Sequence, residues 1–526
     1  MKHIMNRTCW FKEKKQHRER KMTMETLMKL ACLVLALLML CSVAVAEDKD
    51  TLVWAMSADP ASLDPMNTAS MNTFTITYAL YDCLTISDGN GGYKPYLADD
   101  VVMSDDGLTY TVTFTKDVSF HDGSKMTVED IKYSLDRTIA AGWAFDMTSC
   151  IEEVVVVDDH TVEIRLNTPF GGMMGSLASP FFAIMSKEYC ESKGNDAMKR
   201  EPMGSGAYKL VEWVSGDHIL LEANEGYFAG APAIKNIYCK PIPDKNTGLI
   251  ALENGEINTF MNVNTSDIPA VEADDNLSFY ACDSASVLSL NMNVEDPILS
   301  NELVRKAICS AINKNDIILG ALDGMGTAAN SPIPTVCAGY SAETPSYTYD
   351  VQQAKDLLAQ AGYPNGLTLK LCIKEDNTHQ KVATIIQAEL KMIGIDVEIE
   401  LMEGGAYTNA VYSNGDYQMT VGSWSAMFLD AYSVMYSQFH KDCYGGTGNI
   451  THVTTDELSD LLDAAAKVND DEKVAAYDAV CANIVEHAYQ MPLVYQQTTI
   501  TATKDVRGLD ASPLGCYMLK DLSFGE

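Results

Sequence analysis

The chain has 526 residues, with 72 Asp and Glu against 38 Lys and Arg, and a formal net charge of −34 at pH 7. That acidity excludes a nucleic-acid partner, which needs basic patches to neutralise phosphate, and argues against intrinsic adhesion to anionic lipid. The charge is spread along the chain as on a solubilising surface, and the length exceeds a single core, so two or more lobes are expected.

Residues 1–46 read as a secretory leader. Lys29 precedes an apolar run over residues 30–40, and Ala44-Val45-Ala46 is a small-x-small cleavage site before Glu47. The run is too short for a membrane span. A dense basic cluster over residues 12–21 makes the leader over-long and places the expected start at Met22, Met24 or Met28. Lipid attachment at Cys41 is the alternative, disfavoured by the large Met39 and Leu40 before it. Either way the mature chain is expected outside the cytoplasm, in the periplasmic space or at the cell surface. Eleven of the fourteen cysteines lie beyond residue 46, none at C-x-x-C spacing, so neither a redox motif nor a zinc knuckle is indicated. Cys309 and Cys481 fall on apolar helix faces, where cysteine packs as a small hydrophobe.

Residues 50–290 read as mostly strand and turn. Strands are expected at 51–55 and 109–114, and a hairpin at 154–157 with 162–166 across Asp158-Asp159-His160. After about residue 300 helices alternate with strands. Leu303, Val304, Ala307, Ile308, Ala311 and Ile312 form one helical stripe, and Asp350 caps a helix ending at Gly362. A longer helix buries Val382, Ile385, Ile386, Leu390 and Ile393 and stops at Gly394, before an alternating strand at 395–401. Helices near 455–467 and 471–488 complete an α/β pattern. No Pro/Gly/Ser linker interrupts residues 47–526, so ordinary strands are expected to join the lobes.

The run Ser119-Phe120-His121-Asp122-Gly123, continuing through Thr127, Asp130 and Ile131 to Ser134 and Arg137, reads as strand, tight turn and capped helix. Other motifs follow in order: Leu63-Asp64-Pro65, Pro95-Tyr96-Leu97-Ala98, Gly204-Ser205-Gly206-Ala207-Tyr208, Asn224 with Tyr227-Phe228, Ala251-Leu252 with Gly255-Glu256-Ile257, and Val304-Arg305-Lys306-Ala307. Together they resemble the family 5 solute-binding proteins, the dipeptide-, oligopeptide- and nickel-binding components of ABC importers, across the whole mature chain.

The resemblance implies an α/β, two-lobed periplasmic-binding-protein-like fold of type II, in the large cluster with an extra subdomain. The first lobe is expected at 47–283 plus 496–526, with that subdomain inserted, and the second at 284–495, hinged on two crossing strands. It implies a small solute, a peptide foremost, delivered to ABC permease subunits. Membrane association is then expected only through the permease or a lipid anchor at Cys41. Metal chelates, opine-like or sugar-derived compounds are alternative ligands, and a sensory or chaperone role is an alternative use of the fold.

Enzyme signatures fail in turn. Gly204-Ser205-Gly206 lacks nucleophile-elbow spacing, Glu486-His487 lacks the second histidine of a zinc helix, and adjacent His121 and Asp122 on a turn point apart. No cofactor or metal is expected. The candidate site is the segment 422–432, read as a ligand-facing loop after a strand at 418–421. Ser423, Trp424, Met427 and Asp430 are its candidate residues. In peptide-binding relatives this loop opens on Trp and carries, three residues on, a carboxylate for the peptide ammonium. Here Met427 stands at that position and Asp430 is the nearest carboxylate. Ser70, Met71 and Asn72 resemble the segment that the first lobe contributes.

Overall fold

Alternating and helical patterns become a mixed α/β architecture in the computed structural model, which describes residues 50–67, 71–88, 92–444, 448–468 and 470–525. The chain divides into two units, Met1–Leu52 and Val53–Glu526. Of the first, only residues 50–52 are described, where the opening strand begins; every described helix and cavity lies in the second. The leader, its cleavage site and Cys41 lie outside the described residues.

Strand β1 (Thr51–Met56) is followed by helix α1 (Met71–Leu80) and a hairpin of β2 (Thr85–Ser87) with β3 (Tyr93–Pro95). A four-stranded antiparallel sheet comes next, ordered β4-β5-β7-β6: β4 (Asp100–Met103), β5 (Thr109–Thr113), β6 (Ile151–Asp158) and β7 (Thr161–Leu166). Between β5 and β6 lie α2 (Val128–Ala141) and the one-turn α3 (Phe145–Thr148). Then come β8 (Tyr208–Val214), β9 (His218–Ala223), β10 (Asn236–Pro241), α4 (Lys245–Glu253), β11 (Thr259–Met261) and the long β12 (Leu277–Met292). The rest alternates: α5 (Glu302–Ala311), α6 (Lys314–Ala321), β13 (Thr327–Ala328), α7 (Val351–Gln360), β14 (Leu367–Lys374), α8 (Asn377–Met392), β15 (Ile395–Met402) and β16 (Met419–Ser425). Last are α9 (Ala431–Phe439), α10 (Asp456–Ala465), α11 (Asp470–His487) and the long β17 (Gln490–Thr503).

The expected helices and strands beyond residue 300 recur at their places, with Asp350 capping α7 and Gly394 in the left-handed region after α8. Residues 50–290 hold β1–β12 and are mostly strand and turn as expected, with α1 and α4 as helices that the pattern does not show. α1 is rich in β-branched residues that favour strands. All of Thr73, Thr75, Ile76 and Thr77 are nevertheless buried, and Thr77 Oγ1 donates to the Thr73 carbonyl at 3.1 Å. Bonding its hydroxyl one turn back lets a threonine sit inside a helix away from water.

An eleven-stranded sheet runs β15-β14-β16-β12-β17-β11-β1-β10-β9-β8, with β13 on β17. β12 and β17 pair antiparallel through its middle, from Leu277 opposite Thr503 to Asn291 opposite Gln490. The two ends of β12 sit in different cores. Leu277 and Phe279 pack with Val53, Leu252 and Phe260, while Leu288, Leu290 and Met292 pack with Val304, Ile308, Ile386 and Leu390. The ladder's register breaks between Asp283 and Val287, where the strands pass from one core to the other. A third cluster joins Val112, Ile131, Leu135 and Val162 to Tyr432, Leu458, Tyr477 and Val480. Helices α9–α11 thus share a core with α2, β5 and β7.

The sequence motifs are joints between elements. Asp64 accepts both Arg137 guanidinium nitrogens, at 2.8 and 2.6 Å, a bidentate pair with the carboxylate almost fully enclosed. Asp82 accepts Ser205 Oγ (2.7 Å) and Tyr227 OH (2.6 Å). Tyr227 has then spent its proton, so Tyr96 OH donates to it at 2.7 Å. A Cβ on Gly206 would stand 2.4 Å from the Ala79 carbonyl oxygen, so only glycine permits that approach. At the turn, Asp130 Oδ2 accepts both the backbone N–H and the hydroxyl of Thr127 at 2.8 Å, starting α2, and left-handed Gly142 ends it. His121 Nε2 lies 3.0 Å from the Gly206 carbonyl. Burial holds its pKa down to about 4, so at neutral pH it is an uncharged donor that docks one motif on another.

Candidate functional site

The segment read as a loop from residue 422 is strand as far as Ser425. β12 imposes this: Leu288, Val287 and Ser286 stand opposite Ser423, Trp424 and Ser425. Successive side chains on a strand face opposite ways, and here Ser423 and Ser425 are exposed while Trp424 is half-buried beside Tyr412, ring centroids 6.5 Å apart. On its other side β16 pairs with β14 only at Met419 and Thr420. From residue 421 to 425 that edge carries no strand among the described residues.

Two cavities meet here, both reaching Ser423 and Ser425. The larger, about 840 Å³, is lined by Trp424 and Met427 together with Trp143, Phe145, Asp146, Phe181, Tyr412, Asp442, Cys443 and Tyr444. The smaller, about 570 Å³, lies along the crossing strands beside Ser284, Ser286, Gln496, Gln497 and Thr498, with Lys245 its one charged lining residue among those described. Burial pushes the Tyr412 hydroxyl and the Cys443 thiol up to about 12, leaving both neutral. Burial also pushes the Asp146 carboxyl up to about 6, partly offset by the backbone N–H groups of Asp146 and Met147.

Ser423, Trp424 and Met427 therefore come together at one cavity. Asp430 does not line it. Its Oδ1 accepts the Tyr432 N–H at 2.9 Å, capping α9, and its Oδ2 takes Lys473 Nζ at 2.5 Å in a buried ion pair. The ligand-facing reading of Asp430 gives way to a structural one, because a lysine forty-three residues downstream claims the carboxylate. Ser70 lies outside the described residues, as do the side chains of Met71 and Asn72, which open α1. Sequence reasoning missed Trp143, Phe145 and Asp146. The available signal was a pair of large aromatics among small residues, with an aspartate beside them, just after the glycine that ends α2.

The same segment ties distant parts together. Tyr93 OH accepts the Leu429 N–H at 2.8 Å, and Tyr432 OH donates to the Asp146 carbonyl at 2.5 Å. A cavity beside two strands that pass between separate cores suits the capture of a solute.

Known proteins agree. The profile of the bacterial extracellular solute-binding proteins, family 5 Middle, matches residues 92–446. The glutathione-binding protein GsiB of Pectobacterium atrosepticum is 32% identical over 372 residues, 70% of this chain and 72% of that one. DppA from Helicobacter pylori, an ABC transporter-associated periplasmic binding protein solved with the peptide STSA, superposes with a TM-score of 0.81 at 28% identity, over 92% of this chain and 100% of DppA. AgaA from A. tumefaciens R10, solved with agropinic acid, gives a TM-score of 0.80 at 26% identity, over 90% and 99% of the two chains. The chain belongs to the bacterial extracellular solute-binding proteins, family 5. It has their two-lobed fold and is an extracytoplasmic solute-binding component of an ABC importer.

Proposed function

We propose that this protein captures a short peptide or peptide-like compound in the joined cavities at Ser423 and Ser425 and delivers it to its permease subunits. The observation that carries the reading is the open edge of β16 over residues 421–425, beside Trp424. An extended peptide satisfies its own main-chain groups by adding to such an edge, while pockets beside it receive alternate side chains. Glutathione, the tetrapeptide STSA and a Met-Leu dipeptide, named for relatives of this chain, are all peptides or peptide-like.

In this reading the first lobe spans 47–283 and 496–526 with an inserted subdomain, and the second spans 284–495. The hinge is the crossing of β12 and β17 at the register break near Asp283 and Val287. The contacts of Tyr93 with Leu429 and of Tyr432 with Asp146 belong to the closed state. Ligand touches both lobes only there, and so favours closure by its difference in affinity for the two states. The chain is exported through residues 1–46 and performs no catalysis.

The test is thermal unfolding of the wild type and of Trp424→Ala with an equimolar tripeptide pool. The wild type is expected to melt higher with the pool, and Trp424→Ala to keep its own melting temperature and lose the shift. An equal shift in both proteins places the ligand elsewhere.

A further inference from the structure

The charge of the larger cavity is one-sided. Its lining holds Asp146 and Asp442 and, among the described residues, no Lys, Arg or His. Residues 445–447, outside the described residues, add no basic group by sequence. Six aromatic residues accompany the carboxylates: Trp143, Phe145, Phe181, Tyr412, Trp424 and Tyr444. Three of them keep much of their surface in solvent, Trp143 at 52%, Phe145 at 49% and Tyr444 at 42%. A cluster of wet rings around a concavity is what an apolar ligand would cover.

Asp146 is held in place from behind. Its carbonyl accepts the Tyr432 hydroxyl, and α3 starts three residues after left-handed Gly142 closes α2. The groups whose ionisation its charge disfavours, Cys150, Tyr432 and Cys443, are neutral. Among the described residues, no lysine, arginine or histidine contributes to the balance at its carboxyl. A desolvated carboxylate without a counter-ion is costly. A cationic ligand supplies the missing charge, and aromatic faces attract the same charge through their quadrupoles.

We propose that this end of the cavity is a cation subsite. Asp146, with Trp143, Phe145 and Tyr444 around it, takes a positively charged nitrogen on an apolar stem and rejects solutes that place a negative charge there. This rests on the peptide reading above and gives it a specificity. The anchor for a peptide ammonium comes from the corner at α3 rather than from the strand end, where Met427 offers no charge. A solute with excess carboxylates, glutathione among them, is disfavoured.

The experiment is native mass spectrometry of the full exported chain, incubated with an equimolar tripeptide pool and, separately, with the same pool N-acetylated. The wild type is expected to retain free-amine peptides at least about 10-fold over their acetylated counterparts, the scale of one charge-assisted hydrogen bond in a partly desolvated site. Asp146→Asn is expected to bring that ratio below about 3-fold, and Asp146→Glu to recover part of it. Equal retention of the two pools by the wild type overturns the proposal and needs no variant. So does an unchanged preference in a folded Asp146→Asn protein. Retention of neither pool overturns the peptide reading itself, and the cation subsite with it.

Discussion

Asp430→Asn asks whether the carboxylate next to the candidate site serves the ligand or the fold. Asp430 Oδ2 lies 2.5 Å from Lys473 Nζ, and the two side chains are only 10% and 6% exposed. Breaking a buried pair by removing one partner costs about 3–5 kcal/mol, because the other charge stays desolvated. Lys473 keeps a further contact, which favours the lower end, about 3 kcal/mol. Asparagine still offers an oxygen to the Tyr432 N–H, so the cap on α9 survives. Alanine removes the cap as well and is expected to cost about 1 kcal/mol more. The assay is urea unfolding without ligand, run beside tripeptide-pool retention on the folded fraction. Both variants are expected to unfold at lower urea, alanine before asparagine, and Asp430→Asn to retain peptide like the wild type. Wild-type unfolding with lost retention would refute the structural assignment.

Other outcomes rest on the same kinds of contact. Arg137→Met strands the enclosed Asp64 carboxylate and is expected to lower stability by about 3–5 kcal/mol in urea unfolding, more than Asp64→Asn, whose remaining arginine reaches solvent and Asn195. The Asp146 carboxyl, raised by burial to about 6 from an ordinary 3.8, binds a proton in the folded state that the unfolded chain has already released. Its contribution to stability is therefore complete below about pH 4 and lost as pH rises through about 6. Asp146→Asn is expected to flatten that part of the stability–pH curve and to raise ligand-free stability at pH 7. Partial solvent access makes about 3 kcal/mol a ceiling for the gain. Among the half-buried thiols, Cys443 lines the larger cavity and Cys282 does not. Alkylation followed by mass spectrometry is expected to show bound tripeptide slowing Cys443 and leaving Cys282 unchanged.

The sequence carried the fold well wherever a signal was local. Asp350, Gly394 and the Thr127–Asp130 pair mark helix ends through contacts a few residues apart, and each stands where its pattern put it. The motifs were legible as separate units, but their partnerships were not. Asp64 meets Arg137 across 73 positions and Asp82 meets Ser205 across 123, and no periodicity encodes such pairing. The candidate site shows the same divide. Trp424 and Met427 were legible as a tryptophan-led segment. Residues 422–425 looked like loop because glycine and serine are poor strand formers, and it took β12 alongside to make them strand. Asp430 looked available because Lys473 is remote in sequence. Asp146 was missed because its interest lies in what surrounds it, an aromatic cavity closed by segments nearly three hundred residues away.

The central claim is that ligand lies along the open edge of β16. A crystal structure of the protein with a retained tripeptide tests it most directly. The account predicts peptide main chain hydrogen-bonded to the edge between residues 421 and 425, with its charged amino end toward Asp146. A peptide seated away from Trp424, with that edge unoccupied, would contradict it.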